Sequence, residues 1–367
     1  MVIRPVGALE KTRAFVFSFD EKYAKYFSVT LCSLAAHADK DLLYDLIVLY
    51  DDLSAQTMEE LRGIVPDGFS LRFFNVADTV SAYFGDLRSA VLCDQWDVST
   101  FYDLLVPLIM PGYDRVLYCD SDIVFCEDPD SLFDLPFGGR SLIAVMDLFP
   151  LNMAVFRNDE FLKNQGVFLA ETLGITDAKD YFNAGVLMFN IPAIDKNGYL
   201  EKVRQALRFP VLPTVDQDVL NYVFRGDVTM APVRFNLQVS IYRHLTEEFD
   251  SDEARQYREA ALAPAVLHYT TKEKPWRYTD VVFSDRFWKY AERSPFYERI
   301  LRENIAELSG KTRFRLIRLC AYAVLSVFPG GKWKQVFRRA CRNQERIRSL
   351  KRKLLSLKKT RRCISPD

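Results

Sequence analysis

Short apolar runs alternate along this chain with stretches of helical periodicity. Residues 13–19, Arg-Ala-Phe-Val-Phe-Ser-Phe, are apolar almost throughout and stop at Asp20. Such a run predicts a buried strand. Helical spacing follows over residues 23–37, then a second strand over 44–50. Ser54, with Glu and Leu residues after it, opens a second helix. Phe69–Asn75 reads as a third strand. Strands that are apolar on both faces, separated by helices, predict a mostly parallel α/β sheet covered on both sides.

The later strands share a feature: each apolar run ends at a polar residue. A helix over 100–110 is closed by Pro111-Gly112, and Arg115–Cys119 then runs into Asp120. Leu142–Met146 ends at Asp147, and residues 186–189 end at Asn190-Ile191-Pro192. Residues 266–267 lead into His268. Ligands of open α/β sheets bind at the carboxyl ends of strands. Asp20, Asp120, Asp147 and His268 therefore form a candidate set.

Charge divides the chain. Residues 311–367 hold 18 Lys/Arg and two acids, whereas the first 310 residues hold 47 acids and 31 bases. This predicts a catalytic body over 13–310 and a basic tail over 311–367. In the tail the apolar spacings 333/336/337 and 347/350/354/357 are helical. A basic amphipathic helix reads as an element that lies on an anionic membrane surface. Nucleic-acid binding and a solvated tail are the competing readings, and nucleic acid is not an expected partner. The tail's longest apolar stretch, 319–328, is too short to span a bilayer, which needs about 20 residues. No apolar run follows a basic start at the N-terminus, so no signal peptide is expected. Seven cysteines without a Cys-x-x-Cys pair suggest reduced thiols and a cytosolic compartment.

Four segments carry candidate chemistry. In Asp120-Ser121-Asp122, residues i and i+2 at a strand end point to one side. Two carboxylates so placed can share a divalent cation such as Mg²⁺ or Mn²⁺, or can be two solvated acids. His268 heads His-Tyr-Thr-Thr-Lys-Glu-Lys-Pro-Trp. It is either a third ligand beside a phosphate-neutralising Lys274 or a partly buried histidine before a basic loop. Asn183-Ala184-Gly185 either presents an amide to sugar hydroxyls, with small residues that let a donor approach, or turns into a strand. Asp216-Gln217-Asp218 either faces a reacting sugar carbon or opens a helix, with Thr214 or Asp216 as its cap.

In this order, these segments resemble glycosyltransferase family 8, which includes lipopolysaccharide galactosyl- and glucosyltransferases and glycogenin. The motifs run from Phe-Ser-Phe-Asp20 to His268-Tyr-x4-Lys274-Pro-Trp276. The resemblance implies a GT-A-type, Rossmann-like fold and transfer that retains the anomeric configuration. It implies Asp120, Asp122 and His268 as ligands of Mn²⁺, with Mg²⁺ as the other hard cation. Ser18 and Asp20 would lie near the nucleotide of a UDP-sugar, with Ser121 in the same donor site and Lys274 at its diphosphate. Asp147, Asn183, Ala184, Asp216 and Gln217 would line the donor sugar and acceptor approach. UDP-galactose or UDP-glucose is the implied donor, and a saccharide, lipid-linked by virtue of the tail, the acceptor. The expected location is the cytoplasmic face of the inner membrane, held peripherally.

The sequence departs from the family where Asp103 stands at a position that often carries Arg. That departure supports a catalytically inactive nucleotide-sugar-binding scaffold as the alternative. A haloacid-dehalogenase-type phosphatase also uses Asp-x-Asp, but at its first strand.

Overall fold

The computed structural model describes residues 1–85, 87, 98–148, 166–248, 251–278 and 280–306, apart from the side chains of 244–248. By internal contacts the chain divides into Met1–Asn304 and Ile305–Asp367. The basic tail expected over 311–367 lies outside the described residues. No helix among the described residues is long and apolar enough to cross a membrane.

The body opens as the apolar pattern predicts. Strand β1 (Thr12–Ser18) leads to α1 (Ala24–His37), β2 (Leu43–Tyr50), α2 (Ala55–Arg62), β3 (Phe69–Asn75) and α3 (Ala77–Phe84). Ser54 caps α2, its side chain accepting from the Thr57 N–H. That satisfies one of the donors a helix start leaves free. Strands β1, β2 and β3 pair in parallel.

Residues read as one helix over 100–110 form two pieces, a 3₁₀ segment Val98–Leu105 and the short α4, Val106–Ile109. Pro107 explains part of the break. It sits in the first turn of α4, where a missing N–H costs nothing. Next come β4 (Arg115–Cys119), β5 (Ile123–Phe125), α5 (Asp130–Phe133), β6 (Leu142–Met146) and β7 (Phe182–Asn190). The helices Lys196–Ala206 and Asp216–Val223, β8 (Val228–Ala231), β9 (Leu237–Gln238) and β10 (Val266–His268) complete the elements around the site.

The seven-stranded sheet has the order β3-β2-β1-β4-β7-β6-β8. Four of its six pairings are parallel, and β7 runs antiparallel to both β4 and β6. This is the expected mostly parallel mixed sheet. Strand β7 is longer than the 186–189 run suggested. Residues 182–185, which read as a turn, are strand as well, with Val145 opposite Asn183 and Met146 opposite Phe182.

A second, three-stranded sheet has the order β5-β10-β9. His268 belongs to it, so His268 does not end a strand of the main sheet as the sequence pattern suggested. The core lies on both sides of the main sheet. Phe15, Phe17, Leu46 and Val48 pack with Phe27 and Leu31 of α1 on one face. Ala14, Val16, Ile47 and Val116 pack with Tyr102 and Leu105 on the other. Burying a Phe or Ile in this way contributes roughly 1.5–3 kcal/mol.

Candidate active site

Because β7 runs against β4, its beginning lies beside the end of β4. The Asp120 N–H donates to the Gly185 carbonyl at 2.9 Å. Helix α1 holds the following turn, where Thr30 Oγ1 lies 3.0 and 2.7 Å from the carbonyls of Ser121 and Ile123. The Tyr269 N–H donates to the Asp122 carbonyl at 3.1 Å, so β10 is fixed to the same turn. Two sheets therefore meet at Asp120-Ser121-Asp122.

Gly185 makes the meeting close. A Cβ there would run into the His268 ring and lie 2.7 Å from Asp120 Oδ2. The space expected for a donor beside Ala184-Gly185 is filled at Gly185 by these two side chains.

His268 Nε2 lies 3.3 Å from Asp120 Oδ2 and 3.2 Å from Asp122 Oδ1. One ligand atom from each of Asp120, Asp122 and His268 lies within 4.8 Å of the others. Asp122 Oδ1 is buried and has no well-aligned hydrogen bond despite that contact. The other ring nitrogen is committed, with Nδ1 2.9 Å from Asn236 Oδ1. Asn236 Nδ2 in turn donates to Asn183 Oδ1 at 2.8 Å, which fixes the amide so that His268 Nδ1–H is the donor. An unprotonated Nε2 would thus aim a lone pair at two carboxylates. Only a proton or a cation between them makes the arrangement favourable. Burial lowers the affinity of His268 for a proton, but Asp120 and Asp122 outweigh it and push its pKa up to about 9.

Lys274 supplies the second local cation. Its ammonium is buried, contacts Asp122 and donates to the Tyr269 carbonyl. Burial would lower its pKa, yet Asp122, Tyr23 and Asp120 together outweigh burial and raise it. Burial would raise the Asp122 pKa, but Lys274 and His268 hold it well below the carboxylate range. Asp122 is the enclosed acid of the pair, with 11% of its side chain exposed against 40% for Asp120.

A second cluster continues from Asn236. Asn183 accepts from Asn236 and from the Gly185 N–H at 2.9 Å. It donates to Gln217 Oε1 at 3.0 Å and to Asp147 Oδ2 at 3.3 Å. Gln217 Oε1 also accepts the Ala184 N–H at 3.1 Å, and its Nε2 donates to Asp147 at 2.9 Å. An unbroken hydrogen-bonded path joins Asp147 to His268. The amide of Asn183 is hydrogen-bonded on both its oxygen and its nitrogen within the protein. Here it braces the site.

Asp216 opens the helix Asp216–Val223, but neither it nor Thr214 caps that helix. The capping position is Val215, and no side chain caps it. Asp218 instead accepts the Thr214 N–H at 2.7 Å and the Tyr181 hydroxyl at 2.7 Å. Ser18 reaches the aspartate pair indirectly. Its hydroxyl lies 2.8 Å from the Tyr118 hydroxyl, which donates to Asp120 Oδ1 at 3.2 Å. Asp20 stands apart from these contacts, accepting the Tyr23 N–H at 2.9 Å within its own turn.

Tyr118 and Asn236 are site residues the sequence reading missed. The Tyr118 signal was present, because it stands two before Asp120 and so projects to the same side of the strand. Asn236 sits in Phe-Asn-Leu with no distinguishing pattern.

The sequence description of glycosyl transferase family 8 matches residues 14–280. The chain belongs to this family. It is similar to general stress protein A of Bacillus subtilis, at 24% identity over 74% of this chain and 90% of that protein. It is likewise similar to the lipopolysaccharide 1,2-glucosyltransferase of Escherichia coli, at 25% identity over 74% of this chain and 78% of that one. Among solved structures it resembles the galactosyltransferase LgtC in complex with donor and acceptor sugar analogs. That match has a TM-score of 0.61 and 25% identity, covering 77% of this chain and 96% of that one. The bifunctional WbbM glycosyltransferase matches with a TM-score of 0.73 and 26% identity, over 83% of this chain and 53% of that one. The fold is therefore the GT-A type. Family membership and the position of Asp120-Ser121-Asp122 after the fourth strand together remove the phosphatase reading.

Proposed function

We propose that this chain is a metal-dependent, retaining hexosyltransferase that moves galactose or glucose from a UDP-sugar to a saccharide acceptor. The convergence of Asp120, Asp122 and His268 Nε2 carries this reading, because the committed Nδ1–H leaves three acceptors around one point. Two carboxylates and one imidazole suit Mn²⁺, and Mg²⁺ next. When bound, such an ion supplies positive charge for a diphosphate leaving group.

The chain's own residues do the rest. Asn236 orients the His268 ring. Lys274, freed in part from Asp122, offers a buried ammonium to the same negative charge, and a fixed charge of this kind stabilises what develops in the transition state. Asp147, Asp216 and Gln217 line the donor-sugar side, and Ser18 with Tyr118 borders the nucleotide side. The acceptor is a lipid-linked saccharide of the lipopolysaccharide class, in keeping with the named relatives. Residues 311–367 hold the enzyme on the cytoplasmic face of the inner membrane through their basic charge.

Incubation of the full chain with UDP-glucose or UDP-galactose, Mn²⁺ and lipopolysaccharide core acceptors, read by mass spectrometry, tests this. Transfer that stops on chelation is the expected result. Binding of UDP-sugar with no transfer and no slow donor hydrolysis would establish the inactive scaffold instead.

A further inference from the structure

Residues 182–184 of β7 run on past the end of β4, whose register stops with Cys119 opposite Val186. Along this stretch the strand partner is β6, with Val145 opposite Asn183 and Met146 opposite Phe182. The helix Asp216–Val223 serves as the second neighbour. The Phe182 N–H donates to Asn221 Oδ1 at 2.9 Å, and Asn221 Nδ2 donates back to the Phe182 carbonyl at 2.8 Å. That is the reciprocal pair of an antiparallel ladder, made by a side-chain amide. Two residues on, the Ala184 N–H donates to Gln217 Oε1 at 3.1 Å.

The spacing explains why a helix can do this. Gln217 and Asn221 are one helical turn apart, a rise of about 6 Å. Phe182 and Ala184 are two strand residues apart, about 6.6 Å. One helix face therefore matches the open edge of β7 at two successive points.

Asn221 has no freedom left in this arrangement. It is fully buried, and its second N–H donates to the Gln217 carbonyl at 2.8 Å. One oxygen and both N–H groups are used, which also fixes the orientation of the amide. The start of the helix has no comparable hold. No side chain caps it, and Val215 before it has φ 50°, a conformation that β-branched residues rarely adopt. Such a turn persists only where surrounding contacts over-determine it.

We propose that Asn221 is a positioning residue for Gln217. Its amide keeps the helix in register with the start of β7, and so keeps the Gln217 carboxamide between the Ala184 N–H, Asn183 and Asp147. Gln217 has a long side chain, and a small slide of the helix would part it from all three. The consequence for sugar transfer rests on the reading of Gln217 as a donor-side residue, whereas the register does not.

The register is read without any substrate, by amide hydrogen exchange at single residues in the full chain. In Asn221→Ala, exchange should speed up at Phe182 and also at Ala184, by about tenfold or more at each. Ala184 is the decisive position, because its acceptor is on Gln217 and not on the substituted residue. Acceleration confined to Phe182 overturns the proposal. So does equal acceleration at Val16 of β1, which marks general loosening of the fold. Should Asn221→Ala fail to fold, Asn221→Ser gives the same comparison, since its hydroxyl can still bond the carbonyl one turn back.

The consequence for transfer is read from a double-mutant cycle. Asn221→Ala should lower kcat about tenfold in the unsubstituted chain and less than about twofold in Gln217→Ala, with a smaller change in donor KM. The same loss of kcat in both backgrounds overturns the action through Gln217. Absence of transfer by the unsubstituted chain would instead sink the hexosyltransferase reading, and the exchange result would stand.

Discussion

The site contains two buried groups of acids that meet the same problem in opposite ways. Around Asp122, positive charge is built in: Lys274 touches it and His268 Nε2 lies 3.2 Å away. Around Asp103 and Asp216, burial and next the neighbouring acids raise both carboxyl pKa values well above the usual range. Buried charge must be paired or neutralised. The first group meets this with Lys274 and His268, and the second by favouring the uncharged acid. The first group is consequently the one suited to exchange its counter-charge with a ligand.

The largest effect that would break this contrast is expected at the first group. Asp122→Asn leaves Lys274 and His268 without their common anion and removes a hard oxygen ligand. Transfer should fall by roughly a thousandfold or more in kcat/KM. Near-normal turnover that still needs a divalent ion would remove Asp122 from the metal site.

Next comes the brace. Asn236→Ala deletes the acceptor that commits His268 Nδ1–H, so metal affinity should drop roughly 10–100-fold. Calorimetric titration with Mn²⁺ measures it, and an unchanged affinity would show that the ring needs no such partner.

A pH effect should sharpen the contrast further. The folded-state pKa of His268 is about 9, above the ordinary value of 6.5. Its contribution to stability is therefore full below pH 6.5 and is lost as pH rises through 9. Metal-free protein should melt at progressively lower temperature across that window, while Mn²⁺ affinity rises because fewer protons compete. Mn²⁺ affinity that stays constant from pH 6.5 to 9 would show that no proton is displaced there.

The smallest effect is expected at Lys22, which is mostly exposed and 3.5 Å from Asp20. Lys22→Ala should change stability by no more than about 0.5 kcal/mol, as for other exposed pairs. A larger loss in thermal unfolding would give Asp20 and its turn a structural weight that their contacts do not suggest.

Much of this arrangement was legible in the sequence wherever the cause was local. The strands covered on both faces announced themselves as apolar runs, and Ser54 announced a helix start. Asp120 and Asp122 could be placed on one side of the chain from strand geometry alone. What stayed hidden depends on distant pairing. The direction of β7 is set by its partners β4 and β6, so the four residues 182–185 looked like a turn. The short β10 carries too few residues to declare which sheet it joins. Asn236 has meaning only through His268 and Asn183, 32 and 53 positions away. Asp103 was visible as an acid inside Phe-Tyr-Asp-Leu-Leu, but its complete burial was not.

The joining of β10 to the Asp120 turn also has a consequence for synthesis of the chain. Asp122 and Lys274 are 152 positions apart. A ribosome that has completed the first six strands has made both aspartates but neither His268 nor Lys274. A nascent chain of that length would leave Asp122 buried beside no cation or fully open to solvent. The proposed metal-binding set of Asp120, Asp122 and His268, with Lys274 beside it, is therefore assembled only late in synthesis, once residues 268 to 274 have been made.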